Sequence, residues 1–195
     1  MKLVLDILQG LGLASATGLR PFLPALLAGA LASGDVGLDF DGTAFAFLES
    51  PVWLLILAIA LVATVFVRRY LESPPGEAAL AGIGIGLGAL LCAASIDDRH
   101  DTWWYGLIAG AAVALLASTV SRSLFGRVRQ RFAAAGDASA AAALPWYGEA
   151  AGLVVAGLSV LFPPLALLAI GFLVALLVTG RRRTDQKYAG LRILR

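Results

Sequence analysis

The sequence predicts an all-α integral membrane protein, a helical bundle of three full spans plus two proline-broken segments. Three observations carry this prediction. Hydrophobic residues make up 59% of the 195 and charged residues only 14%, with mean hydropathy +0.86, too apolar for an ordinary soluble domain. Apolar runs of roughly 16 to 20 residues recur, each near the ~20 that cross a hydrocarbon core of ~30 Å as a helix. These runs are continuous in Ala, Leu and Val, whereas barrel strands would alternate over segments of ~10 residues. The single cysteine, Cys92, lies in an apolar run and excludes an intrachain disulfide or a thiolate metal site. A formal net charge of +2 gives no reason to expect nucleic acid.

The first broken segment, residues 1–33, has an apolar piece from Leu3 to Thr17, a break at Arg20, Pro21 and Pro24, and a second piece from Phe22 to Ser33. At 1.5 Å per residue the pieces reach only ~22 Å and ~18 Å, so the segment is either one kinked span or a hairpin. Met1 to Ala16 has the outline of a signal peptide, but Asp6, Gln9, Gly10 and Gly12 interrupt its apolar region, and the segment is expected to be retained. On a helical wheel Asp6, Gln9, Gly10, Leu13 and Thr17 form one polar stripe. Gly34 to Ser50 reads as a loop carrying Asp35, Asp39, Asp41 and Glu49 without a basic residue.

The three full spans are 51–69, 78–96 and 103–120. Trp53 opens the first and Arg68, Arg69 and Tyr70 close it, the aromatic and basic markers of the two interfaces. Gly82, Gly84, Gly86 and Gly88 of the second, and Gly106 and Gly110 of the third, let other helices approach closely and offer faces for a homo-oligomer. The glycine run is not a dinucleotide loop, because no strand precedes it and the spacing is wrong. Residues 122–132 place Leu124, Phe125, Val128 and Phe132 on one arc with Arg122, Arg127, Arg129 and Arg131 at its sides, the pattern of an interfacial amphipathic helix against anionic headgroups of the membrane lipids. Ala133 to Leu144 reads as a loose connector. The second broken segment, 147–180, is interrupted at Phe162-Pro163-Pro164 and carries Glu149, Gly152, Ala156 and Ser159 on one face; a basic tail, 181–195, follows.

Charge distribution chooses between topologies. If the last segment crosses once, an N-inside arrangement has seven Lys/Arg on each side, with no bias. If it is a hairpin, the tail returns and the split becomes thirteen to one; a hairpin in the first segment as well would make it twelve to two. The positive-inside rule favours a final hairpin, with the C-terminus cytoplasmic.

The run Ala16-Thr17-Gly18-Leu19-Arg20-Pro21-Phe22-Leu23-Pro24, with the later basic segment, Pro145, Glu149 and Phe162-Pro163-Pro164, resembles a family of small bacterial membrane proteins known as domain of unknown function 4126. The similarity covers most of the chain, and departs from the family where Arg68 and Arg69 replace acidic residues at the end of the second span. It implies a multi-pass protein of the bacterial inner membrane and brings no established activity. Locally, Arg20, Pro24 and Gly29 are similar to an arginine-proline-glycine pattern in a re-entrant loop of the DedA family of lipid-scramblase-like proteins. The proline-to-glycine spacing differs by one and that family's acidic proline motif is absent.

Arg20 carries the functional expectation. A guanidinium is always charged, and at mid-membrane it costs about 2.5 to 3.5 kcal/mol or more unless it has a partner, water or a path to the interface. Broken helices in membranes line such cavities and bind ions at their half-helix ends. The expected substrate-binding set is Arg20, Glu149, Asp6, Gln9, Thr17 and Ser159, in a polar site that transports or translocates a small anionic solute, an ion or a lipid headgroup. Arg20 would hold the anion, and Glu149 and Asp6 would balance charge or relay protons. No cofactor is expected. Asp97, Asp98, His100 and Asp101 have the atom types of a cation site, but nothing fixes a coordination geometry. No HExxH, CxxC pair, P-loop or nucleophile elbow is present, so the chain is read as no enzyme. The competing reading is a non-catalytic membrane scaffold or partner-binding subunit.

Overall fold

A computed structural model describes residues 2–71, 73–97 and 103–189. Among these residues the fold is all-helical, without strands, and three helices are long and apolar enough to cross a membrane: Pro74–Asp97, Trp103–Phe132 and Ala143–Leu161. The helices are α1 (Lys2–Leu19), α2 (Phe22–Ala32), α3 (Pro51–Phe66), α4 (Arg68–Leu71), α5 (Pro74–Asp97), α6 (Trp103–Ala135), α7 (Ala138–Leu161) and α8 (Leu165–Ala189), with a 3-10 turn at Ala46–Glu49.

α1 is the central helix, packed against α2, α5, α6, α7 and α8. Its sequence explains the position. From Gly12 to Gly18 every residue is buried and all but Leu13 are Gly, Ala, Ser or Thr, small enough for neighbouring backbones to approach. Its hydroxyls are satisfied within the helix: Ser15 donates to the Gly12 carbonyl (2.7 Å) and Thr17 to those of Leu13 (3.2 Å) and Ala14 (3.1 Å). A methyl on Gly88 of α5 would lie 2.8 Å from both Thr17 Oγ1 and Ala114 Cβ, so α1, α5 and α6 meet at that glycine. Gly84 and Gly88 face α1, and Gly106 and Gly110 face α5. Gly82 and Gly86 look outward onto open space.

Contacts fix the direction of each helix. Along α7, α1 meets Ser159 at Gly12 and Gly148 at Arg20, so the two are antiparallel. α2 then returns: Pro24 lies by Gly152, Leu27 by Gly157 and Gly37 by Val160. Gln9 Nε2 donates to the Gly37 carbonyl (2.6 Å) across the open ends of the two arms. The first broken segment is thus a helical hairpin with its turn at Arg20-Pro21. The second is also a hairpin, because Leu173 of α8 packs with Ala117 and Val120 of α6 and Gly180 lies by Arg127.

One end of the bundle, here termed the arginine end, gathers the α1–α2 turn, the start of α5, the last turns of α6 and the start of α7. The opposite, acidic end is closed by the 34–50 segment. That loop buries Phe40, Phe45 and Leu48, stacks Phe45 edge-on against Trp103 at 6.1 Å, and receives Asp97, whose Oδ2 accepts from Ala44 N (3.2 Å). The two proline turns sit at opposite ends, with their arms side by side.

Three sequence expectations are corrected. The span read as 51–69 is a 16-residue helix ending at Phe66, and the third long apolar helix is α7. Residues 122–132 are not a separate interfacial helix; they continue α6, which at 33 residues is ~50 Å long and extends beyond a hydrocarbon core. The connector read over 133–144 is helical except for Gly136, at φ +72°, and Asp137. Alanine is the best helix former, and Asp137 caps the new helix. The backbone of the tail remains helical through Ala189.

Asp137 accepts from Ala140 N (3.0 Å) and Ser139 Oγ (2.8 Å), which holds its carboxyl below the ordinary range near 3.8. The cap therefore stabilises α7 above that range and is lost as pH falls through the lowered value. Asp137→Ala is expected to speed amide exchange in the first turn of α7 roughly fivefold near pH 7. Hydrogen-exchange mass spectrometry would show the difference shrinking towards pH 3. An unchanged first turn would remove the cap from the explanation of this helix.

Candidate functional site

The α1–α2 hairpin stops short. Ser121 of α6 donates to the carbonyl of Leu19, the last residue of α1, at 3.3 Å, and α6 then runs on to Ala135, roughly 21 Å at 1.5 Å per residue. Beneath the turn lies a cavity of about 570 Å³, lined by the turn itself (Gly18 to Leu23) and by five other helices, of which α4 contributes Leu71. α3 contributes Leu61, Val62, Thr64 and Val65; α5 contributes Glu77, Leu80 and Ala81. α6 adds Ser118, Ser121, Arg122, Phe125 and Arg129; α7 adds Pro145, Trp146, Glu149, Ala150 and Leu153. Three arginines thus face two carboxylates in a mostly apolar chamber.

Arg20 is held by shape as well as charge. A methyl on Gly148 would fall 2.7 Å from its Nε, 3.3 Å from its Nη2 and 3.0 Å from Cζ of Phe125. The guanidinium carbon lies 5.4 Å from the Phe125 ring centroid, within cation–π range. Gly152, one turn on, leaves room for Pro24 and the Arg20 stem. The Glu149 carboxylate feels the Arg20 charge, and its Oε2 is buried with no hydrogen-bond partner among the described residues. N-cap Pro21 makes no side-chain cap for α2, and Phe22 and Leu23, at the positive end of that helix, are among the lining residues. At the rim Arg129 pairs with Glu77 at 3.5 Å, both more than a third exposed.

The expected site residues divide by level. Arg20 and Glu149 share the cavity. Thr17 lies one turn deeper, bonded within α1. Ser159 donates to the Val155 carbonyl (2.7 Å) and packs on Gly12, near Gln9, in the other half of the bundle. Asp6, 7% exposed, is farther still: 14 residues from Arg20 along one straight helix, or ~21 Å. It is therefore not placed to pair with Arg20. Of the four arginines expected at headgroups, Arg122 and Arg129 line the cavity, Arg127 leans towards Gly180, and Arg131 is exposed on α6.

Asp98, His100 and Asp101 lie outside the described residues, as does the end of the tail. The described acidic group is a different one. Asp39, Asp41 and Glu49 bring carboxylate oxygens within 4.8 Å of one another. Partial burial and the neighbouring Asp41 push the Glu49 carboxyl up, so ionising it costs stability as pH rises through its folded value.

Gly148, Phe125 and Glu77 were not anticipated. The signal for Gly148 was present: with Gly152 it forms the same i,i+4 small-residue pair that marks α5 and α6. The chain matches no family model, no curated protein and no solved structure.

Proposed function

We propose that this is a multi-pass protein of the bacterial inner membrane, related to the family of domain of unknown function 4126, with its arginine end and C-terminus in the cytoplasm. It binds an anionic group, a small anion or a lipid headgroup, at Arg20 and passes it along the polar face of α1. It works without chemistry on its substrate. The observation that carries this is the cavity under the α1–α2 turn: Arg20 is held by Gly148 and Phe125 beside the buried Oε2 of Glu149. Its positive charge faces a space large enough for a ligand, within the ~300 to 1,000 Å³ of ordinary sites. Ser159, Gln9 and Asp6 supply polar groups in the half beyond.

Sidedness follows from charge. Read as two hairpins, the sequence divides its Lys/Arg twelve to two in favour of the side of the arginine end, the bias of a cytoplasmic face. The scaffold reading draws on one observation, the open face of Gly82 and Gly86, which suits a homo-oligomer.

The purified chain in liposomes is the test. Trapped-phosphate efflux and dithionite quenching of a fluorescent phospholipid are measured in parallel. One of the two is expected to run at least tenfold faster than in protein-free liposomes. Both at the protein-free rate would leave the scaffold as the function.

A further inference from the structure

We infer that the ligand of the cavity is an amphiphile of the bilayer itself, with a phosphate-type head among Arg20, Arg122 and Arg129 and a hydrocarbon chain along α3. This rests on the anion-binding reading above and adds a second requirement, an apolar tail.

The cavity's two kinds of lining suit such a ligand. Arginine forks match phosphate oxygens, and the positive end of α2, at Phe22 and Leu23, lines the same cavity. The α3 wall and the facing Leu80 and Ala81 offer hydrocarbon surface. A free anion would leave that wall unused, and the space is far larger than one phosphate group.

The wall is also open to the side. Among the described residues α3 packs on α2, the 3-10 turn and α4, and not on α5, α6 or α7. Val62 and Val65 line the cavity and are nonetheless 56% and 53% exposed. They continue into an outer face of Leu55, Ile56 and Ile59 that is exposed and wholly apolar. A chain can therefore remain in lipid along α3 while its head turns in towards Arg20. The head would meet Arg129 at the rim in competition with Glu77.

The test measures unfolding temperature of the full chain in maltoside micelles, titrated with inorganic phosphate or with dodecyl phosphate. Micelle alkyl chains are present throughout, and Arg20→Gln in the same micelles subtracts any effect that bypasses the site. Each buried methylene multiplies affinity about fourfold. Dodecyl phosphate is therefore expected to bind at least a hundredfold more tightly than inorganic phosphate. Ala81→Phe, which fills the chain's path, should cut that preference tenfold or more and leave inorganic phosphate unchanged; Val65→Asn on the rim does the same if the first variant does not fold. Equal affinity for the two probes would overturn the amphiphile and leave the anion site standing. Binding of both probes that ignores Arg20→Gln would overturn both readings.

Discussion

Arg20→Gln is expected to weaken binding of a phosphate-headed ligand by roughly 10- to 100-fold, the range of a lost charge-assisted contact, and to abolish liposome flux. The guanidinium is one of three in the cavity, and the space that seats it is made by the missing side chain of Gly148. Glutamine keeps length and hydrogen bonding and removes charge. The substitution also leaves the buried Oε2 of Glu149 without its neighbouring cation, a change that destabilises in its own right. The double variant Arg20→Gln/Glu149→Gln separates the effects: stability should return while binding does not. Arg20→Lys should recover only part of the affinity, because an ammonium lacks the planar fork. Titration calorimetry, with gel filtration as the check on folding, decides the matter. Unchanged affinity in the folded double variant would remove Arg20 from the site.

Gly88→Leu is expected to have the largest effect on stability. Its first added carbon would already stand 2.8 Å from Ala114 Cβ and Thr17 Oγ1 and 3.2 Å from Ala14 Cα, at the point where the central helix meets the α5–α6 pair. Those neighbours are short or part of the backbone and cannot swing away, so the helices must separate. Overpacking of this kind costs about 1–3 kcal/mol, and more where the helices lose register. Gly86→Leu, half a turn away, meets nothing within 4 Å and should be close to neutral for the monomer. Thermal unfolding in detergent should therefore fall sharply for the first variant only. Equal behaviour would mean that α1 does not occupy the centre of the bundle.

Much of this was legible in one dimension. Two proline breaks in apolar runs predicted two interrupted segments, and both interruptions fall where the prolines stand. Charge in an apolar run singled out Arg20 and Glu149, and those two share the cavity. What was hidden was axial level. A helical wheel places Asp6, Gln9 and Thr17 on one face but cannot say that ~21 Å separates Asp6 from Arg20. Which surfaces pair was hidden too. The alanines before Pro145 look like a linker until α7 is capped at Asp137, and Phe40 looks exposed in an acidic loop until that loop closes the bundle. Gly148 was legible as half of a small-residue pair with Gly152, but its role was not, because that depends on the arginine that crosses it.

Arg20 stands at the tip of a hairpin, and the proposed route to it is from the arginine end. In a Cys92→Ser background, single cysteines at Ser121 in the cavity, at Asp39 in the acidic loop and appended after Arg195 can be challenged with an impermeant thiol reagent on sealed vesicles of known orientation. The Ser121 position and the appended cysteine should label from the cytoplasmic face, and the Asp39 position only from the opposite one. Labelling of Ser121→Cys from the same face as Asp39→Cys would contradict the cavity's orientation and the hairpin that creates it.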